Sequence, residues 1–354
     1  MKGIILHGGH GTRLRPLTHT GPKQLLPIGN KPMSEYCLDK IKETGISEIA
    51  IIIGGIGSNK VKEYYGDGEK FGVKISYIEQ ESPKGIAHAI NLCQEFIGNE
   101  KFLVFLGDNI IKKSLVEYAK DFESGNSEAS ILLCEVNNPS QFGIAEISGE
   151  KIINIIEKPK NPPSNLAVTG IYFLTPIIFE IIKNLNPSWR NELEITDALD
   201  TLLKQNKKIT YYKVTDYWKD TGTPEDILHA NQLLLEDMKS NNEGTIEENA
   251  DTTGTIIIGE NSVIKKNTKL IGPVIIGKNC IIDNGAQVGP NISLGNNSKI
   301  SQCYIKNSII MENTEIDCKE NIQNSIIASN SKITYSENSS EKRLLLGEGT
   351  KITL

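Results

Sequence analysis

Across residues 258–300 an apolar side chain recurs every six positions without a gap, at Ile258, Ile264, Leu270, Ile276, Ile282, Val288, Leu294 and Ile300. An amphipathic helix, with a period of about 3.6, cannot produce that spacing, and neither can a lone strand with its period of about 2. A chain that lays down one flat side of a prism every six residues does produce it, because each anchor then points inward and stacks on the anchors of the neighbouring coils. Small or β-branched residues follow four places after the anchors, at Ser262, Thr268, Val274, Cys280, Ala286, Ile292 and Ser298. Close stacking of coils needs them. After Ile300 the series resumes at Ile310, Ile316 and Ile322, four residues out of step, so an inserted loop or corner is expected there.

Hexads of this kind resemble the left-handed parallel β-helix. The chain before them is built differently. Up to about Met238, short apolar runs at 48–53, 73–77, 102–106 and 130–133 alternate with helical stretches, the α/β pattern. One helix is expected over 87–96, entered through Gly85, and another from the N-cap Thr223, with Pro224 at its first position and Glu225 and Asp226 in its first turn. Residues 239–244, Lys-Ser-Asn-Asn-Glu-Gly, are polar and suit a linker. The expected division is therefore 1–238, a linker at 239–244, and repeats over 245–354.

Bulk properties set limits. A chain of 354 residues exceeds one ordinary core, so two domains are expected. With Lys+Arg 38 against Asp+Glu 44, the net charge of -6 argues against a general nucleic-acid binder and requires any cationic site to be local. The six cysteines, Cys37, Cys93, Cys134, Cys280, Cys303 and Cys318, form no C-x-x-C pair, which favours thiols in a reducing compartment over disulfides or a metal site. No apolar run is long enough to span a bilayer or serve as a signal peptide. A cytoplasmic address without membrane association is the expectation.

Chemistry enters at residues 3–27, GIILHGGHGTRLRPLTHTGPKQLLP. A short apolar strand runs into Gly8, Gly9 and Gly11, which expose backbone N–H groups to an anion, and Arg13 and Arg15 add fixed positive charge. The loop ends Gly11-Thr12-Arg13, so it lacks the Gly-Lys-Ser/Thr of a Walker A loop, and the second strand ends at Gly54-Gly55 without the acid of a dinucleotide fingerprint. What the segment does resemble, almost residue for residue, is the G-G-x-G-T-R-L-x-P-L-T and P-K-Q-L-L-P signature of the sugar-1-phosphate nucleotidylyltransferases. The likeness continues in order through Leu106-Gly107-Asp108-Asn109, Phe142-Gly143, Glu157-Lys158-Pro159, Val168-Thr169-Gly170, Arg190 with Glu192-Leu193-Glu194-Ile195-Thr196-Asp197, and Trp218-Lys219-Asp220-Thr221-Gly222-Thr223. It is similar above all to the long form of the glucose-1-phosphate thymidylyltransferases, whose catalytic domain precedes a repeat domain.

That resemblance implies a Rossmann-like nucleotidyltransferase domain with a mixed, mostly parallel sheet, followed by a left-handed parallel β-helix. It implies attack by the phosphate of glucose 1-phosphate on the α-phosphorus of dTTP, giving dTDP-glucose and pyrophosphate; the repeats are expected to join subunits into a homo-oligomer. Asp108 and Asp220 would hold Mg²⁺, which keeps waters and takes further ligands from substrate phosphates. Arg13 would brace the triphosphate, Lys23 would reach between the two phosphate groups, and Lys158 and Arg190 would hold the sugar phosphate. Leu6, Gly8, Gly9, Gly11 and Thr12 would form the nucleotide loop. Gln24 and Gln80 would read the base, with Gly85 allowing its close approach. Asn109, Gly143, Glu157 and Val168 would surround the sugar.

Two departures from the pattern stand out: His7 replaces a small residue and Phe142 a tyrosine. His7 is expected to be a packed strand-end histidine, and His10, His19 and His88 likewise to be positional. A sibling enzyme using UTP or another sugar 1-phosphate is the competing activity, and a non-catalytic regulatory subunit is the competing class. The charged residues Arg13, Lys23, Asp108, Lys158, Arg190 and Asp220 are all present, which favours an enzyme. Related hexapeptide acyltransferases use a histidine base, and no histidine follows His229. The repeats are therefore expected to be structural.

Overall fold

The computed structural model describes residues 1–9 and 11–334, which leaves His10 and the last part of the expected repeat domain outside the described residues. The chain forms two compact units. The first comprises Met1–Gly11, Thr18–Leu25 and Met33–Asp220; the second takes Thr12–Leu17, Leu26–Pro32 and the chain from Thr221 onward.

The first unit is a nine-stranded sheet. Its strands are β1 (Lys2–Leu6), β2 (Glu48–Ile53), β3 (Lys74–Glu79), β4 (Phe102–Leu106), β5 (Ala129–Glu135), β6 (Gly143–Ser148), β7 (Lys151–Glu157), β8 (Leu166–Leu174) and β9 (Ile209–Val214). The main path runs β7-β6-β8-β4-β1-β2-β3, and β5 pairs with both β8 and β9. Only β7 and β8 run against the other strands, so the sheet is mixed and mostly parallel. Its apolar strands need cover on both faces. Helices α1 (Met33–Glu43), α2 (Ser58–Tyr65) and α4 (Val116–Ser124) bury Leu38, Val61 and Phe122 in one core. On the other face α3 (Ile86–Asn91), α5 (Ile177–Lys183) and α6 (Ile195–Lys204) bury Ile90, Phe179 and Leu199. Strand β1 alternates accordingly, with Ile4 and Leu6 in one core and Ile5 in the other.

The helix expected over 87–96 divides into α3 and a short turn at Gln94–Ile97. The break is a tightening, because Cys93 N–H bonds back to the Ile90 carbonyl at 2.9 Å while Leu92 keeps a helical φ of -63°. More important for the site is the order of strands. Both β2 and β4 flank β1 in parallel, so the connections leave in opposite directions there, and the crevice beyond the carboxyl ends of β1 and β4 is the place where such sheets bind ligands.

In the second unit, α7 (Pro224–Glu236) starts as its sequence implies. Thr223 accepts from Asp226 N–H at 3.2 Å and the Asp226 carboxylate accepts from Thr223 N–H at 3.0 Å, a reciprocal capping box. The repeats form three all-parallel sheets, two of six strands and one of five, in the arrangement of a left-handed β-helix. All eight anchors from Ile258 to Ile300 are buried. The first rung begins at Asn241–Asn242, which pairs with Ile257 and Ile258, inside the stretch expected to be a linker. Polar side chains are no obstacle on a rung whose outer face is exposed.

The expected insertion after Ile300 is a shortening instead. Val288 pairs with Ile305 and Leu294 with Ile310, so Ile305 is the missing anchor and two successive sides have lost one residue each. Gln302 and Asn307, at φ 55° and 47°, make those tighter corners. Other corners carry asparagine with positive φ, and Asn261, Asn279, Asn297 and Asn313 hand one side-chain hydrogen bond to the next along an edge at 3.1 to 3.4 Å.

Candidate active site

Most of the residues expected to bind the nucleotide stand at or just beyond strand ends of the first unit. Beyond β1 the chain reaches Gly8 and Gly9, the latter at φ 94°, and beyond β4 it reaches Asp108. Leu6 supports this loop from below: its side chain lies in the core and its carbonyl accepts from Gly107 N–H at 3.0 Å. Gly11 sits at φ 57° where a Cβ would come within 2.9 Å of Thr18, whose hydroxyl donates to the Gly11 carbonyl at 2.8 Å. A short turn over Lys23–Leu25 then places two of the expected residues. The Lys23 ammonium pairs with the Asp108 carboxylate, and buried Gln24 donates to the Gly8 carbonyl at 2.9 Å. The Gln24 Oε1 has no partner among the described residues. Gln80, just past β3, approaches the same Gly8.

Burial would raise the Asp108 pKa, but the Lys23 charge and hydrogen bond and the Asn109 amide outweigh it, and the carboxyl is held below its ordinary 3.8. It stays ionised. His7 behaves as a packed residue: it lies edge-on to Tyr65 with ring centroids 6.0 Å apart, and burial lowers its pKa to about 3 against the pull of Asp108. Neither ring nitrogen has a partner among the described residues. At Gly85 a Cβ would meet the Leu193 carbonyl oxygen at 2.4 Å, so the chain itself needs a glycine there.

The residues expected around the sugar meet at a cavity of about 220 Å³ in the same unit. Asn109, Gly143, Glu157, Lys158, Val168 and Arg190 all line it, together with Asp108 and Asp220. The two aspartates come together because Asn109–Ile111 and Trp218–Asp220 form a two-stranded ribbon in which Asp220 faces Asn109. Gly143 leaves room for Thr196 and Glu157, since a Cβ would lie 2.4 Å from the Thr196 methyl. Lys158 has φ 41°, a conformation costing roughly 1–3 kcal/mol for a residue other than glycine, and its ammonium lies 3.8 Å from Glu157.

Arg190 is shared among Glu157, Glu194 and Glu192 at 3.5, 3.3 and 3.1 Å. Glu157 also accepts from the Thr196 hydroxyl at 3.0 Å; burial and the nearby Glu194 raise its pKa above 4.5, although Lys158, Thr196 and Arg190 oppose the shift. Asn109, only 2% exposed, accepts from Trp218 and Gly170 and donates to Asp108, so it ties the site together from the cavity wall. Sequence reasoning gave no role to Glu194, Thr196 or Trp218. The signal was present in the Glu-Leu-Glu-Ile-Thr-Asp and Trp-Lys-Asp motifs.

Thr12 and Arg13 belong to the second unit, on a short turn over Thr12–Leu14. There the Arg13 guanidinium lies over Gly222, where a Cβ would come within 3.0 Å of it.

Comparison with known proteins decides the family. The model for nucleotidyl transferase matches residues 2–237, and that for the GMPPB C-terminal domain matches residues 270–353. The chain belongs to the nucleotidyl transferase family. Within that family, it is 46% identical to the low-salt glycan biosynthesis nucleotidyltransferase Agl11 of Haloferax volcanii, over 100% of both chains. It is 38% identical to a glucose-1-phosphate thymidylyltransferase of Streptomyces antibioticus, over 89% of this chain and 88% of that one. A solved Bacillus anthracis structure, named for glucose-1-phosphate thymidylyltransferase activity and holding a sucrose, is 42% identical with a TM-score of 0.64, over 68% of this chain and 98% of that one. As a nucleotidyl transferase of this kind, the chain joins a nucleotide to a sugar 1-phosphate. Among its described residues no helix is long and apolar enough to cross a membrane, and the cysteines are free thiols.

Proposed function

We propose that this chain transfers the thymidylyl group of dTTP to glucose 1-phosphate, giving dTDP-glucose and pyrophosphate in the cytoplasm. The observation that carries the reading is one cavity whose lining includes Asp108 and Asp220 beside the cations Lys158 and Arg190, with Glu157, Glu192 and Glu194 paired to Arg190 and with Lys23 paired to Asp108. Such a site can gather a triphosphate and a sugar phosphate despite their mutual repulsion. The name and 38% identity of the Streptomyces antibioticus relative support the choice of dTTP and glucose 1-phosphate.

Two carboxylates lining one cavity, Asp220 in the ribbon opposite Asn109 and Asp108 just before it, give an oxygen-only donor set that suits Mg²⁺. When bound, the ion would neutralise charge on the triphosphate oxygens. The rest falls to the chain. Lys158 and Arg190 orient the sugar phosphate so that one of its oxygens lies in line with the α-phosphorus. As that oxygen bonds to phosphorus, the bond to the β-phosphate oxygen breaks and pyrophosphate leaves. Lys23, beside Asp108, stabilises the charge on the transferring phosphate, and the bracing of the triphosphate is assigned to Arg13 by its motif alone. Glu157 accepts from sugar hydroxyls, and Gln24 and Gln80 read the base.

A second reading, transfer to a different sugar 1-phosphate, is favoured by the full-length 46% identity to the Haloferax volcanii glycan-biosynthesis enzyme. Incubation with an equimolar mixture of nucleoside triphosphates, and of glucose, galactose and glucosamine 1-phosphates, separates the two. The expected main product by mass spectrometry is dTDP-glucose; another nucleotide sugar in excess replaces the proposal with the second reading.

A further inference from the structure

Gln80 is 7% exposed, and its amide nitrogen has two close neighbours, Nδ1 of His88 at 2.9 Å and the carbonyl oxygen of Gly85 at 3.4 Å. A carbonyl oxygen only accepts hydrogen bonds, so the NH₂ end of the amide must face it; the reversed amide would set Oε1 against the Gly85 oxygen. With the NH₂ end in that place, the lone pair of His88 Nδ1 is the only group that can meet it. The imidazole is therefore neutral, with its proton on Nε2. Burial and the nearby Lys84 charge also favour the neutral ring. Gln80 Oε1 is left toward the glycine loop, 3.9 Å from where a Gly8 Cβ would stand.

We propose that His88 is a specificity-positioning residue: by accepting from Gln80, it locks the amide so that an acceptor faces the base. Thymine and uracil carry an N3–H donor that satisfies it, whereas cytosine presents a bare N3 lone pair and leaves two acceptors opposed. A desolvated acceptor without a donor is costly, so the arrangement rejects cytosine as well as binding thymine. The inference rests on the proposed reading that the base lies beside Gln80. It adds that the polarity of the contact is set one residue further out, by a histidine that touches no substrate.

The test compares dTTP, UTP and dCTP as substrates for the wild-type enzyme, His88→Leu and His88→Gln. In His88→Leu the preference for dTTP over dCTP should fall about tenfold or more through KM, with kcat for dTTP nearly unchanged. His88→Gln can accept through its own amide oxygen and should keep most of the preference. An unchanged ratio in His88→Leu, or an equal loss in both variants, overturns the proposal while leaving the base-site reading intact. A wild-type preference for purine triphosphates overturns both. Should His88→Leu not fold, ¹⁵N-histidine NMR of the wild type gives the answer directly: the Nε2–H tautomer at His88 is expected, and the Nδ1–H tautomer contradicts the proposal.

Discussion

The indole N–H of Trp218 donates to Oδ1 of Asn109 at 2.7 Å, and the amide nitrogen of Asn109 in turn donates to Asp108 at 2.8 Å. The same Oδ1 accepts from Gly170 N–H at 3.2 Å, and a Cβ on Gly170 would stand 2.8 Å from the Asn109 amide. One buried side chain thus connects the Trp218–Asp220 strand, the β8 backbone and the carboxylate at the end of β4.

Replacing Asn109 should therefore hurt stability and catalysis together. Asn109→Ala leaves the indole and the Gly170 N–H without an acceptor, at about 1–3 kcal/mol for each buried group. Calorimetry should show a melting temperature lower by several degrees, and kcat should fall because Asp108 loses a donor that fixes its rotamer. Trp218→Phe removes one of the three bonds and should cost less on both measures. A variant Asn109→Ala with wild-type melting temperature would refute the connecting role.

Glu157 and Asp108 give opposite pH signatures. The folded-state pKa of Glu157 lies above its ordinary 4.5, so just above that pH the native chain holds more protons than the unfolded one and loses stability as pH rises. Asp108 is held below its ordinary 3.8, so its contribution is present above that value and is lost as pH falls through the folded pKa. Glu157→Gln should flatten the first slope and raise KM for the sugar phosphate. Melting curves across the acid range, compared with wild type, read the first effect. An unaltered slope would contradict the burial argument.

In the second unit, Asn231 Oδ1 accepts from Gly29 N–H at 2.8 Å and from the Ser293 hydroxyl at 2.6 Å, while Asn30 donates to the Leu294 carbonyl at 2.6 Å. These bonds join a short hairpin (Pro27–Ile28 with Lys31–Pro32), α7 and one rung of the β-helix. Asn231→Ala should destabilise the chain by about 1–3 kcal/mol by stranding a buried N–H and a buried hydroxyl. Chemical denaturation measures it, and a change below about 0.5 kcal/mol would show that water replaces the amide.

Much of this was legible in the chain. The six-residue period pointed to the stacked coils, and its anchors from Ile258 to Ile300 are buried; Thr223, Pro224 and Asp226 specify a helix start through local chemistry alone. The sugar-side residues converge because motifs at β4, β6, β7, β8 and α6 end on one cavity. What the sequence hid depends on long-range partners. Ile305 broke the six-residue count because a corner can shorten when its turn residue tolerates positive φ. The intrachain neighbours of Asn109 and Gly85, Trp218 and Leu193, lie about a hundred residues away in sequence. His88 gave no motif at all, since only the fold brings it to Gln80.

The metal assignment predicts that Asp108→Asn and Asp220→Asn each lower turnover by orders of magnitude, since charge neutralisation by the ion is worth several kcal/mol. Circular dichroism should show both variants folded. Near-wild-type turnover in Asp108→Asn removes the assignment.

The central claim is most directly tested by pyrophosphate release from the purified enzyme with glucose 1-phosphate and Mg²⁺, taking each nucleoside triphosphate in turn. The account predicts the highest kcat/KM with dTTP. UTP should be poorer but detectable, because one methyl group is worth only about 1–3 kcal/mol of discrimination, and purine triphosphates should be near background. ATP or GTP outperforming dTTP would contradict it.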